Sequence, residues 1–389
     1  MKEGKISNFG HSNAGYPEAA MPPNNQSSRR LDLNHIKQQV QEHMRKGGVV
    51  SEDYFEGNFL GLPETGEDVD VVVLPLPYEL TTSYGQGTAQ GPAACIASSG
   101  HVELFDAELG VDLPAFVHLY TAPEWNGEGG SLAEQLDNIS SYLRPWFRGD
   151  CFPVVLGGEH GILPPLVHAA RQHPLIGGDL SRLTVVQIDA HADLRPELDG
   201  EAYSHACAAG RSLDLGVGRL LQVGIRAYSK EEAEIIENDE RITTFFARET
   251  QSPTHGQASW KAWLSELSSL SGPVHLTVDI DGLDGSLVPA TGTPVPGGLS
   301  YWQAIETIRA VFNAPNAVII SADINEIVAQ EGSPITEFTA AMLATKAIVS
   351  HIKARQEGRW VALAEQAGKN RDAEPSGFFV EKIGNAQGA

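Results

Sequence analysis

From about residue 68 onward the chain alternates short β-branched runs with longer amphipathic ones, and this rhythm restricts the fold more than any other feature. The strand candidates are VDVVVLPLP (69 to 77), FVHLY (116 to 120), CFPVVLGG (151 to 158), LTVVQIDAH (183 to 191), LLQVGIR (220 to 226), ITTFFA (242 to 247), PVHLTVDID (273 to 281) and AVIISADINEI (317 to 327). Most are apolar throughout, as strands buried on both faces must be. Between them stand SLAEQLDNISSYLRPWF, SKEEAEIIEN, WKAWLSELSSL and YWQAIETIRAVF, and a last helix, ITEFTAAMLATKAIVSHIKAR, follows. Alternating strand and helix predicts an α/β protein with a parallel sheet covered by helices. Eight strands fit a closed barrel or an open doubly wound sheet, and both put a functional site at the C-terminal strand ends.

The flanks differ in composition. Residues 1–30 are rich in Gly, Asn, Ser and Pro and predict a mobile arm, because they hold too little apolar surface to offset the entropy of ordering. Residues 31–67 are read as a helix and connector, with Leu33, Ile36, Val40 and Met44 at helical spacing and Gly47-Gly48 as the stop. Residues 68–356 then form one catalytic domain, and 357–389 a polar, loosely held tail.

Charge and composition remove several classes. The 389 residues carry 27 Lys+Arg against 50 Asp+Glu, a formal charge of −23. A polyanion needs a clustered basic surface, yet the one mildly basic stretch, residues 1–48, holds seven basic and four acidic side chains. The acidic excess suits cationic ligands instead. No apolar run approaches the ~20 residues of a membrane helix, and the first thirty residues lack the apolar middle of a signal peptide, so a cytoplasmic protein is expected. Cys95, Cys151 and Cys207 are too few and too scattered for a disulfide framework or a thiolate metal site.

Three strand candidates end in metal-ligand residues. In IDAHAD, Asp189, His191 and Asp193 are spaced by two, which puts their side chains on one face of an extended chain. Asp279 and Asp281 in VDID repeat the pattern, and VVLGGEH ends in His160 after a glycine pair that permits close backbone approach. Four carboxylates at one buried site would repel unless cations cancelled their charge. An oxygen-rich set with two imidazoles suits manganese, iron, cobalt or nickel. A single DxD at a strand end is commonly a turn or a cap, but three such endings on separate strands argue for a shared site. The other histidines are assigned plainer roles: His118 and His275 lie within strands, His168, His173 and His351 on helices, and His11, His35, His43 and His255 have no partners in sequence.

GGEH (157 to 160), DAHAD (189 to 193) and VDIDGLDGSLVPATGTPVPGG (278 to 298) resemble the three metal-binding signatures of the ureohydrolases, the arginase and agmatinase family. YGQGTAQGPAACIASS (84 to 99) resembles that family's glycine-rich loop and helix, and ADINEI (322 to 327) its last strand, so the similarity spans roughly 68 to 350. The resemblance implies a single-domain three-layer α/β/α fold with a central, mainly parallel eight-stranded sheet. It implies two divalent metals, one held by His160, Asp189, Asp193 and Asp279 and the other by Asp189, His191, Asp279 and Asp281, which together make water a nucleophile toward a guanidinium carbon. Glu326 takes the place of the substrate-orienting carboxylate, His205 in YSHA that of the proton shuttle, and Asp323 lies where it can support the ligands from behind. Where many members have GGDHS this chain has GGEHG, and the loop after Asp284 has Gly where Pro is usual.

The signatures do not report the rest of the substrate. Length and loop style resemble the long agmatinase-like branch that includes guanidine hydrolases, which implies free guanidine as substrate and nickel as metal. The alternatives are agmatine with manganese, or a guanidino acid whose carboxylate Arg195 or Arg226 would receive. Thr88 and Trp302 are expected at the pocket, the hydroxyl as acceptor and the indole as a wall, their plainer roles being a turn residue and a helix-start packing residue. The resemblance also implies a homo-oligomer, trimer or hexamer, with metal-loading helper proteins as further partners. Two other classes are carried: a metal-stabilised scaffold without turnover, and a mononuclear zinc deacetylase.

Overall fold

All eight apolar runs join one sheet in the computed structural model, which describes residues 55–127, 130–363 and 377–387. The arm at 1–30 and the helix expected at 31–46 lie outside the described residues. In chain order the strands are β1 (Val71–Leu76), a short antiparallel ribbon of β2 (Phe105–Asp106) and β3 (Val111–Asp112), β4 (Leu119–Thr121), β5 (Phe152–Gly157), β6 (Thr184–Ile188), β7 (Arg219–Ile225), β8 (Ile242–Phe246), β9 (Ser271–Asp279) and β10 (Asn316–Asn325). The sheet runs β4-β1-β5-β10-β9-β6-β7-β8, every pair parallel. Its edges, β4 and β8, do not meet, which decides for the open sheet over the barrel.

The helices are α1 (Gly91–Ser99), α2 (Leu132–Leu143), α3 (Leu163–Ala170), α4 (Ala208–Asp214), α5 (Lys230–Asn238), α6 (Ala247–Thr250), α7 (Gly256–Ser268), α8 (Tyr301–Asn313), α9 (Ile335–Gln356) and α10 (Phe378–Gln387). Successive strand residues point to opposite faces, so β1 feeds two cores. Val71 and Val73 join a layer containing Ile96 of α1, Trp263 of α7, Ile308 of α8 and Ile348 of α9. Val72 and Leu74 join the other, with Leu136 of α2, Leu166 of α3, Leu213 of α4 and Phe379 of α10. Three helix starts follow from serine capping boxes that are readable as S-x-x-E/Q: Ser131 with Glu134, Ser229 with Glu232 and Ser300 with Gln303.

One segment departs from the sequence reading. The tail beyond residue 357 is expected to be loosely held, yet α10 docks on α2 and α3. Phe379 is fully buried, Phe378 stacks on His168 at 4.1 Å, and Asp137 of α2 accepts from the backbone N–H groups of Phe379 (2.9 Å) and Val380 (3.1 Å). Two adjacent phenylalanines in a polar stretch supply the apolar anchor, and the carboxylate sits at the positive end of the helix.

The topology decides where chemistry can occur. β9 and β10 come late in the chain but insert between β5 and β6. The C-terminal ends of β5, β10, β9 and β6 therefore stand side by side, the position where open parallel sheets gather their functional groups. No helix among the described residues is long and apolar enough to cross a membrane.

Candidate metal centre and substrate cavity

Each signature leaves the sheet at its own strand end. After β5 the chain passes Gly157 and Gly158 to His160; a Cβ at Gly158 would stand 1.9 Å from the carbonyl oxygen of Tyr78, so only glycine allows this exit. Asp189, His191 and Asp193 follow β6, while Asp279 ends β9 and Asp281 lies in the 3-10 turn after it. Ligand atoms of His160, Asp189 and Asp193 converge within 4.8 Å of one another, and so do those of Asp189, His191 and Asp281. Asp189 belongs to both groups. Its Oδ2 is 3.1 Å from His160 Nδ1 and its Oδ1 3.7 Å from His191 Nδ1, so this one carboxylate faces both. Asp279 lies just beyond the tight sets, Oδ2 3.7 Å from His160 Nδ1. Asp193, at φ 54°, and Glu326, at φ 60°, hold left-handed backbone that non-glycine residues seldom adopt, which is the kind of strain that gathers at functional sites.

The protons around His160 show what the cluster is suited to hold. Thr277 donates its hydroxyl hydrogen to Asp323 Oδ1 (2.8 Å) and therefore accepts from His160 Nε2 (2.8 Å). In the neutral ring this leaves the Nδ1 lone pair close to Asp193 Oδ2 (2.9 Å) and Asp189 Oδ2 (3.1 Å), without a hydrogen bond to either. Acceptors facing acceptors at these distances require a cation between them, either a proton or a metal. In the protein alone burial opposes a charge on His160, but Asp189 and Asp193 outweigh it and hold its pKa well above the usual value. His191, opposed by burial and favoured by Asp281, rises to about 10, while Asp281, raised by burial, is drawn by His191 down to about 2. Burial, with the charges of Asp281 and Asp189, pushes Asp279 far up. Divalent cations would replace these protons among hard oxygen donors and two imidazoles, and the residues present fit them.

Glu326 and His205 stand beside this cluster. Glu326 Oε1 accepts from the backbone N–H of His160 (2.8 Å) and faces His205 Nδ1 (3.1 Å), while its Oε2 is buried without a partner. His205 Nε2 meets Ser83 Oγ at 3.1 Å. Burial lowers the affinity of His205 for a proton, but the bond to Glu326 dominates and raises its pKa to about 9. Asp323 is fully buried and takes His275 Nε2 (2.6 Å) and Thr277 Oγ1, so it reaches His160 through Thr277.

A cavity of about 340 Å³ opens from His205, Asp193 and Asp279 toward Arg195, Leu198 and Tyr228. Thr88 is fully buried, its Oγ1 without a partner, whereas Trp302 is 68% exposed at the start of α8; neither lines this cavity, and Glu326 adjoins it only through His205. Arg195 does, 3.8 Å from Glu232. Arg226 is spent on the fold. Its guanidinium donates to the carbonyls of Val295, Pro296, Gly224, Gly282, Asp281 and Leu283, which leaves it no role in receiving a substrate carboxylate. The sequence reading did not single out Thr277, Thr81 or Ser83, and gave His275 only a plain role within its strand. Thr277 and His275 carry a signal, since 275, 277, 279 and 281 share the two-residue spacing; Thr81 and Ser83 come from a loop whose path only the fold determines.

An open parallel α/β sheet whose central strand ends gather carboxylates and imidazoles for two cations defines a metallohydrolase class. The chain belongs to the arginase family, whose profile matches residues 69–350. It is similar to N(1)-aminopropylagmatine ureohydrolase of Synechocystis sp., 36% identical over 285 residues covering 72% of this chain and 88% of that protein. It is also similar to agmatinase of Bacillus cereus, 31% identical over 264 residues covering 67% and 84%. The crystal structure of a hypothetical agmatinase from Burkholderia thailandensis superposes with a TM-score of 0.66 at 27% identity, over 78% of this chain and 91% of that one. The chain is thus a ureohydrolase, a metal-dependent C–N hydrolase acting on guanidino groups, and its family implies a centre of two divalent ions.

Proposed function

We propose that the substrate is a guanidino-alkylamine of the agmatine class, hydrolysed to urea and the free amine. The observation that carries this reading is the cavity of about 340 Å³, which continues past His205 to Leu198, Tyr228 and Arg195 and is far larger than a bare guanidinium. Arg195, which lines the cavity, is paired with Glu232 at 3.8 Å, which offsets its charge toward a substrate ammonium, and the net charge of −23 favours a cationic ligand. The names of the similar proteins, which act on agmatine and aminopropylagmatine, support the same class.

His160, Asp189, Asp193 and Asp279 would hold one cation, and Asp189, His191, Asp279 and Asp281 the other. The chemistry such a pair supplies is cancellation of the carboxylate charge and a lowered pKa for water, giving a nucleophile at neutral pH. The unpartnered Oε2 of Glu326 accepts guanidinium N–H groups and fixes the plane of the substrate. His205, between Glu326 and Ser83, carries the proton that the departing nitrogen needs.

A second reading is free guanidine to urea and ammonia with nickel, for which Thr88 offers a buried, unpartnered Oγ1 outside the cavity described above. Urea release by protein loaded separately with manganese and nickel, on agmatine, aminopropylagmatine, guanidine and guanidinobutyrate, separates them. Preference for the alkylamines supports the first reading, preference for guanidine replaces it with the second, and turnover of none would overturn both.

A further inference from the structure

We infer that Glu159, Gly161 and Thr81 act as one clamp that positions His205, and that the two unusual residues of GGEHG depend on each other. The inference rests on the reading of His205 as proton carrier.

Glu159 is fully buried beside His160, and its carboxylate gathers the loop that follows β1. Oε2 accepts from the backbone N–H groups of Leu80 (2.7 Å) and Thr81 (2.6 Å), and Oε1 from the hydroxyl of Thr81 (2.6 Å). With its one hydrogen given to Glu159, Thr81 Oγ1 has only lone pairs left, and it accepts the backbone N–H of His205 at 2.9 Å. Two residues on, the same loop supplies Ser83, whose Oγ meets His205 Nε2 at 3.1 Å. The loop anchored by Glu159 thus holds His205 by its backbone and by its ring.

Gly161 is what allows Glu159 to reach so far. A Cβ built at 161 would stand 2.8 Å from Glu159 Oε1 and 3.3 Å from Tyr78 Cε1. Tyr78 cannot retreat, because it is fully buried and packed edge-on against Trp125 with ring centroids 6.0 Å apart. The carboxylate would have to move instead, and with it the acceptor of the Thr81 hydroxyl. An aspartate at 159, one methylene shorter, draws its oxygens away from both Thr81 and position 161. The exchange of GGDHS for GGEHG is therefore one change in two parts: the longer acid makes the clamp, and the glycine makes room for it. Glu159, Gly161 and Thr81 are positioning residues, since none needs to touch the substrate.

The test is a double-mutant cycle on the full, metal-loaded chain, with urea release from agmatine and from guanidine as the assay and metal content measured alongside. Gly161→Ala is expected to lower kcat about 10- to 100-fold with KM and metal content little changed, but by less than about threefold in the Glu159→Asp background, where no oxygen remains to be displaced. Thr81→Val should lower kcat similarly and speed amide hydrogen exchange at His205, and Thr81→Ser should restore both. Equal loss from Gly161→Ala in both backgrounds, or parent kcat and exchange in Thr81→Val, overturns the clamp. Should Gly161→Ala fail to fold, the Thr81 pair carries the test alone. Parent kcat in His205→Asn would instead overturn the proton-carrier reading, a result distinct from failure of the cycle.

Discussion

Thr277 is the residue whose replacement most directly tests how the metal centre is prepared. It is fully buried on β9, with its Oγ1 2.8 Å from both His160 Nε2 and Asp323 Oδ1. Thr277→Val keeps the shape and removes the only acceptor that His160 Nε2 has among the described residues. A buried N–H left unmatched costs about 1–3 kcal/mol. The neutral ring escapes that cost by moving its proton to Nδ1, the atom facing Asp189 and Asp193, and in that tautomer it cannot ligate a cation. Either route charges the same energy to metal binding, an expected loss of about 10- to 100-fold in affinity. Asp323 retains His275 Nε2 at 2.6 Å and Asn325 Nδ2 at 2.5 Å, so the cost falls on His160. Competition against a chelator for manganese and nickel measures the affinity, with Thr277→Ser as the control that keeps the hydroxyl. Binding within about twofold of the parent would refute the tautomer argument. A Thr277→Ser as weak as Thr277→Val would show that keeping the hydroxyl does not keep the affinity, and would likewise count against the tautomer argument.

Asp279→Asn should abolish the rise in Tm that metal confers on the parent and leave the metal-free Tm unchanged, because burial and its acidic neighbours already push this carboxyl far above its usual pKa; a parent-like metal-induced shift would remove Asp279 from the ligand set. Burial holds His173 at about 4, and burial with nearby Arg171 does the same for His168. Between about pH 6.5 and 4 the unfolded chain binds more protons than the folded one at these sites, so stability falls with pH across that window, by about 3 kcal/mol for each histidine. Urea melts of His173→Asn should show a flatter pH dependence over the same range, and a curve parallel to the parent's would contradict this. Phe379→Ala should cost up to about 3–5 kcal/mol; because α10 can undock locally, the loss is expected first as faster hydrogen exchange across 378–387, and unchanged protection there would show that Phe379 is not its anchor.

Much of this protein is written in local pattern. Strands buried on both faces need unbroken apolar runs, and helices over them need one apolar stripe, so all eight strands and five of the six helices read from the sequence recur at nearly the expected positions, the sixth lying outside the described residues. The two-residue spacing of Asp189, His191 and Asp193, and of Asp279 and Asp281, marks these candidate ligands in the sequence, although Asp193 at φ 54° and Asp281 in a 3-10 turn have left the extended backbone. Thr277 and His275 obey the same spacing and were legible in principle. The order of the strands was not, because it follows from which sheet edges each late strand can bury, a property of the whole chain. That order sets β9 and β10 between β5 and β6, and so brings His160, Glu326, Asp279 and Asp189 within reach across gaps of up to 166 residues. The same holds for Arg226, a candidate for substrate binding by charge alone, which the fold turns into a clamp for six carbonyls. It holds also for the Glu159–Thr81–His205 chain, whose members sit 78 and 124 residues apart. Sequence determined which groups face the same way along each strand, since that needs only the period of an extended backbone; tertiary structure alone decided which strand ends meet, since that depends on the competition of all strands for burial.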